Sequence, residues 1–253
     1  MKKDASLIVG NWKSFILSPK EGLQLIKGID KKLPRGMKNT VVVCPPSVLF
    51  GSLRSGFGGK RILFGLQDVS EFADGPHTGE TSAVLARAGG AEYVIVGHAE
   101  RRANGETDEV VARKVRAALD SKLIPIVCVG ESERDKEGHY FSAIEKTVQG
   151  SLARVMPNEL SKIVIAYEPV WAIGAPQAPD ARIVAEAVVY IKKTLATLFD
   201  REAALKARII YGGAVDATNA VQLLSEGHAG GFLVGRASTN AESFADIIRV
   251  CQS

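Results

Sequence analysis

Cysteine is scarce in this chain, and the three present, Cys44, Cys128 and Cys251, are scattered and odd in number. With no Cys-x-x-Cys spacing among them, neither a disulfide framework nor a zinc site is expected, and a reducing cytoplasm is the natural compartment. No apolar stretch reaches membrane-spanning length, so no membrane partner is expected. Met1 to Ser14 holds only the short apolar run Leu7 to Val9, which is too little for the apolar region of a signal peptide. Gly-x-Gly-x-x-Gly and phosphate-loop motifs are missing, which removes the usual nucleotide readings. So are basic blocks interleaved with aromatics. The net charge of +4 is spread along the chain, and it suits small anions such as phosphate-bearing metabolites better than nucleic acid.

What is present is a soluble globular composition, 46% hydrophobic and 24% charged over 253 residues, with no linker or low-complexity segment. One domain over 1–253 is expected. Eight short β-rich runs punctuate it: Ser6 to Asn11, Thr40 to Cys44, Arg61 to Gln67, Glu92 to His98, Ile124 to Gly130, Lys162 to Glu168, Arg208 to Gly212 and Gly230 to Gly235. Their cores are continuously apolar, as in parallel strands buried on both faces.

Helix-period segments lie between most of them. In Asp180 to Phe199 the residues Val184, Val188, Ile191, Leu195 and Leu198 recur at spacings of four and three, and Asp180 is placed to cap the start. Glu106 to Leu119, Ala143 to Val155 and Ala217 to Leu224 behave similarly; the second and third units are short and unclear. Eight β-α units permit a closed barrel or an open doubly wound sheet. The polar residues discriminate, because Asn11, Lys13, Gln67, His98, Glu131, Glu168, Gly212, Gly213 and Gly235 each follow a strand. Function gathered at nearly every C-terminal strand end is the barrel pattern, whereas an open sheet concentrates it at one switch point.

Taken singly, most of these have plain readings. Lys13 alone reads as a solvated surface residue, His98 as a satisfied structural histidine, Glu100, Arg101 and Arg102 as a charged helix start, and the glycines as turn residues. Glu168 is harder to dismiss, since a carboxylate directly ending an apolar strand needs a solvent opening or a partner. Prolines follow it at 169, 176 and 179, so it stands at the root of a loop able to act as a lid. Jointly the set makes chemistry. Glu168 can take a proton, His98 and Asn11 can polarise a carbonyl oxygen, and Lys13 supplies fixed positive charge, which are the needs of proton transfer beside a carbonyl. Gly212-Gly213 and Gly235 can offer backbone N–H groups to a phosphate at the last two loops.

The segments GNWKS (10–14), HTGET (77–81), VGHAERR (96–102), YEPVWAIG (167–174), YGGAV (211–215) and FLVGRAS (232–238) occur in an order that resembles the triosephosphate isomerase family along the whole chain. The resemblance implies a (β/α)8 TIM barrel, with eight parallel strands ringed by helices. It also implies interconversion of dihydroxyacetone phosphate and glyceraldehyde 3-phosphate through an enediolate, with no cofactor or metal. By position, Glu168 is then the base and His98 the neutral electrophile, the pairing for which this family is itself the standard example. Asn11 and Lys13 contact substrate, and the backbone of Gly174, Ala214, Gly235 and Arg236 holds the phosphate. Glu100, Thr78, Glu131 and Tyr211 are supporting residues, and the Thr78 loop implies a homodimer.

Several positions depart from the family's usual pattern. Ala99 stands for serine, Asp68 for asparagine and Phe15 for a small polar residue; Ala-Pro-Gln-Ala-Pro at 175–179 replaces Thr-Gly-Lys-Thr-Ala, and Ala214 replaces a serine. These changes bear on lid closure more than on chemistry. The alternatives are an isomerase of a related phosphorylated ketose such as a tetrulose phosphate, a lyase releasing methylglyoxal, and a non-catalytic binding homologue, which would have no use for Glu168.

Overall fold

A computed structural model describes residues 5–174 and 178–252. Eight strands alternate with helices: β1 Leu7–Asn11, α1 Pro19–Lys32, β2 Thr40–Cys44, α2 Ser47–Gly56, β3 Ile62–Leu66, α3 Ala83–Ala88, β4 Tyr93–Val96, α4 Ala99–Ala103, α5 Asp108–Asp120, β5 Ile124–Val129, α6 His139–Ser151, β6 Val164–Tyr167, α7 Ala181–Leu198, α8 Arg201–Lys206, β7 Arg208–Tyr211, α9 Ala220–Ser225, β8 Gly231–Val234 and α10 Ala241–Val250. All strand pairs are parallel. They run in sequence order and close where Leu7 of β1 pairs with both Thr40 of β2 and Gly231 of β8. The expected barrel is therefore the observed one.

The continuous apolar runs follow from burial on two sides. Alternate residues, among them Leu7, Val9, Val42, Ile95, Ile126, Ala166, Ile210 and Leu233, pack against one another and fill the barrel. The residues between them, such as Ile8, Val41, Val94, Val127 and Ile165, pack outward on Ile26, Leu53, Val115, Ile191 and Ile248 of the helices. Two glycines mark places where backbone meets backbone. A Cβ on Gly231, which has φ +146°, would lie 1.9 Å from the Leu7 carbonyl oxygen, and one on Gly130 would lie 1.9 Å from the carbonyl oxygen of Glu168.

The helix expectations hold best where a side chain caps the start. Asp180 accepts the Arg182 N–H at 2.8 Å and opens α7, and Thr107 caps α5. The helix expected over Ala143 to Val155 instead begins four residues earlier, because Asp135 accepts the N–H groups of Gly138 and His139 and supplies a cap that apolar periodicity does not register. The helix expected from Ala217 begins at Ala220, since Asp216 accepts the N–H groups of Thr218 and Asn219 and holds that stretch as a turn. The second unit carries a ten-residue helix, whereas the third is a long loop ahead of the six residues of α3.

Candidate active site

At the C-terminal rim one pocket of about 960 Å³ is lined by Asn11, Lys13, His98, Glu100, Glu168, Gly174, Ala214, Gly235 and Arg236, so it brings together nine of the twelve residues that the family resemblance assigns to the site, and Gly212 and Gly213 line it too. Three others stand apart from it. Thr78 is exposed in the loop between β3 and α3. Glu131 and Tyr211 are buried behind the rim.

Glu168 follows β6 directly and is 4% exposed. Its Oε2 accepts the N–H of Ala99 at 3.0 Å and its Oε1 lies 3.3 Å from His98 Nε2. Space for this carboxylate is made by Gly212, where a Cβ would come within 2.9 Å of Glu168 Cγ. Expected from the sequence as a backbone donor to phosphate, Gly212 stands against the carboxylate and has a steric duty there.

His98 caps α4, and its Nδ1 accepts the Glu100 N–H at 3.2 Å. With Nδ1 engaged as the acceptor of that bond, Nε2 is the ring nitrogen that faces the pocket and Glu168.

Lys13 lies two residues past β1 with φ +47°, in the left-handed region. Asn11 Oδ1 accepts its N–H at 3.1 Å, which leaves the Asn11 amide NH2 as donor to the pocket. Gln67 donates to its carbonyl at 2.9 Å. The Lys13 Nζ reaches Glu100 Oε1 at 2.6 Å. Burial lifts the Glu100 carboxyl, the Lys13 hydrogen bond and charge oppose it, and the net result is a group held below its ordinary value. Gln67 has no role assigned by the resemblance, and the sequence marks it only as a polar side chain ending an apolar strand.

Behind the rim, Glu131 Oε1 accepts both the Tyr167 hydroxyl and the Trp171 indole N–H at 2.9 Å. This fixes the two sides of the Glu168 turn to one buried carboxylate. Burial, with Glu131 adding, pushes the Tyr167 hydroxyl well up, and burial does the same to Tyr211. Cys128 inside the barrel is raised by burial and then by the charge of Glu168. Asp68 holds buried Lys114 through both oxygens at 2.8 Å, and burial outweighs that pairing to leave its carboxyl raised. Of the altered lid, Ala175, Pro176 and Gln177 lie outside the described residues, while Ala178 and Pro179 line the pocket.

A parallel barrel whose carboxylate, imidazole and ammonium groups converge at its strand ends is the layout of an enzyme of the α/β-barrel class. The sequence pattern described as triosephosphate isomerase matches residues 6–251. The chain is 41% identical over 249 residues to the triosephosphate isomerase of Rhodopirellula baltica, covering 98% of each, and 39% identical over 246 residues to that of a Thermoanaerobacter species, covering 96% of this chain and 98% of that protein. The crystal structure of triosephosphate isomerase from Bartonella henselae superposes with a TM-score of 0.84 at 35% identity, over 97% of this chain and 98% of that one. The chain belongs to the triosephosphate isomerase family.

Proposed function

We propose that Glu168, His98, Lys13 and Asn11 divide between them the chemistry of a triosephosphate isomerase. The enzyme interconverts dihydroxyacetone phosphate and glyceraldehyde 3-phosphate by proton transfer through an enediolate. Glu168 removes the proton next to the carbonyl, His98 donates from Nε2 to the developing oxyanion, and Lys13 with the Asn11 amide stabilises the charge. The phosphate is held by backbone N–H groups of Gly174, Ala214, Gly235 and Arg236. The observation that carries this reading is the 3.3 Å contact between Glu168 Oε1 and His98 Nε2, with His98 Nδ1 accepting the Glu100 N–H so that Nε2 is left to donate toward the pocket. Glu168→Gln, assayed in both directions with a coupled enzyme, is expected to lose roughly two to four orders of magnitude in kcat with little change in KM. A variant keeping more than a tenth of the parent rate would remove Glu168 as the base.

The chain is also proposed to work as one domain and as a homodimer, in a reducing cytoplasm. Several exposed large apolar side chains lie on the first three βα units, Leu17 and Val48 more than 80% exposed and Phe72, Val84 and Leu85 less so. Phe72 stacks on His77 at 3.7 Å and shapes the Thr78 loop, and a cleft lined by Lys13, Gln67, His98 and Asn104 is open to receive such a loop from a second copy. Sedimentation is expected to give about twice the 27.0 kDa chain mass; a fully active monomer would overturn the dimer.

A further inference from the structure

The charge of the pocket poses a problem for a phosphate ester. Its lining includes four carboxylates, Glu100, Glu168, Asp180 and Asp216, against two cations, Lys13 and Arg236. The Lys13 ammonium is engaged by Glu100. A substrate carrying a phosphate dianion is therefore drawn in by whatever positive charge is left uncompensated. Among the described residues no carboxylate pairs with Arg236, and its side chain donates no hydrogen bond to the protein. Instead the guanidinium carbon stands 5.0 Å from the centroid of the Phe15 ring, on the same side of the rim as Lys13 and Gly235. An arginine laid on an aromatic face keeps its charge and its donors while losing much of its conformational freedom. Phe15 is one of the positions where the sequence departs from the family's usual pattern, and this contact gives it a role.

We propose that Arg236, braced by Phe15, is a specificity-determining residue of the isomerase site, its side chain attracting the phosphate group of the substrate in addition to any contact made by its backbone. This rests on the isomerase reading above. The side chain is exposed, so its action is electrostatic and long-ranged, felt in capture of the dianion more than in the chemical step.

The test compares the parent with Arg236→Gln, Arg236→Lys and Phe15→Leu. It measures kcat and KM for glyceraldehyde 3-phosphate at about 10 mM and about 0.5 M salt, where the Debye length falls from about 30 Å to a few ångströms. It also measures competitive inhibition by inorganic phosphate and turnover of phosphate-free glyceraldehyde. At low salt Arg236→Gln is expected to lose about five- to tenfold in kcat/KM, nearly all of it in KM, with phosphate inhibition weakened by a similar factor. At high salt the gap closes to less than about twofold. Arg236→Lys recovers most of the loss and Phe15→Leu shows part of it, while glyceraldehyde turnover does not change. An unaltered phosphate inhibition constant overturns the proposal, and so does an equal loss with glyceraldehyde, which would make Arg236 a structural residue only. If the parent shows no isomerase activity the reading above fails instead, and calorimetric titration of parent and Arg236→Gln with inorganic phosphate still decides the role of the side chain.

Discussion

Gln67 holds Lys13 from behind, its amide NH2 donating to the carbonyl of Lys13 at 2.9 Å and to that of Cys44 at 3.0 Å. The lysine is thereby kept at a positive φ that costs a non-glycine residue of order 1–3 kcal/mol. Asn11 secures the other side of the same residue, accepting the Lys13 N–H. The ammonium is aimed by bonds to its own backbone, and those bonds come from the ends of β1 and β3.

Gln67→Leu removes both donated hydrogen bonds while keeping the volume. At roughly 0.5–1.5 kcal/mol per bond, the left-handed Lys13 is expected to relax. We expect kcat/KM to fall about tenfold or more, with a melting temperature only a few degrees lower. Steady-state kinetics and thermal unfolding check this, and unchanged kinetics would show that Asn11 alone positions the lysine.

Gly212→Ala sets a methyl group against the base, where a Cβ would stand 2.9 Å from Glu168 Cγ and 3.2 Å from its Oε1. The carboxylate has to move, and a displacement near 1 Å at a reacting group costs on the order of a hundredfold in rate. The expected result is a kcat loss of that size in a protein that still folds, with circular dichroism as the folding control.

Acid sensitivity is expected at the outer wall of the barrel. Arg116 grips Glu159 through two hydrogen bonds of 2.7 and 2.9 Å and holds its carboxyl down at about 2, below the ordinary 4.5. A depressed carboxyl stabilises the fold fully above its unfolded value, and the contribution fades as pH falls from about 4.5 toward about 2. Glu159→Gln is therefore expected to lower stability at pH 6, and the deficit should shrink steadily below about pH 4.5. Urea unfolding of both proteins across that range is the measurement; a deficit independent of pH would assign the effect to packing.

Cys44 and Cys128 are buried in the barrel interior, and burial pushes both thiols well up. Since the thiolate is the reactive form, an exposed-thiol reagent at pH 8 is expected to label them at least about a hundredfold more slowly in the native protein than in denaturant. Peptide mapping of labelled cysteines against time tests this, and fast native labelling of Cys128 would mean that the barrel opens.

Much of this was legible in the residues themselves. The eight apolar runs became eight strands because burial on both faces leaves no polar alternation to misread, and Glu168 drew attention as a charge at the end of such a strand. Asp180 likewise placed α7 correctly. What escaped is of two kinds, a cap that apolar periodicity does not register and contacts across the chain. Asp135 starts α6 earlier than periodicity suggests, Gln67 reaches a carbonyl 54 residues away, and Gly212 is small because Glu168 lies against it. The last two leave no local pattern, since each is defined by a neighbour that only the closed barrel supplies.

The two-sided burial of the strands has a consequence for how they find their alignment. In a sheet with one wet face, sliding a strand by one residue turns polar groups inward, and hydrophobicity forbids it. Here the slide would only exchange Leu7 and Val9 for Ile8, apolar for apolar. In the direction that brings Phe232 beside Leu7 the bar is steric: Gly231 occupies that place, and a Cβ moved there would meet the Leu7 carbonyl oxygen at 1.9 Å. The seam between the first and last strands is thus keyed by a missing side chain. That key sets the height at which Asn11 and Gly235 reach the rim.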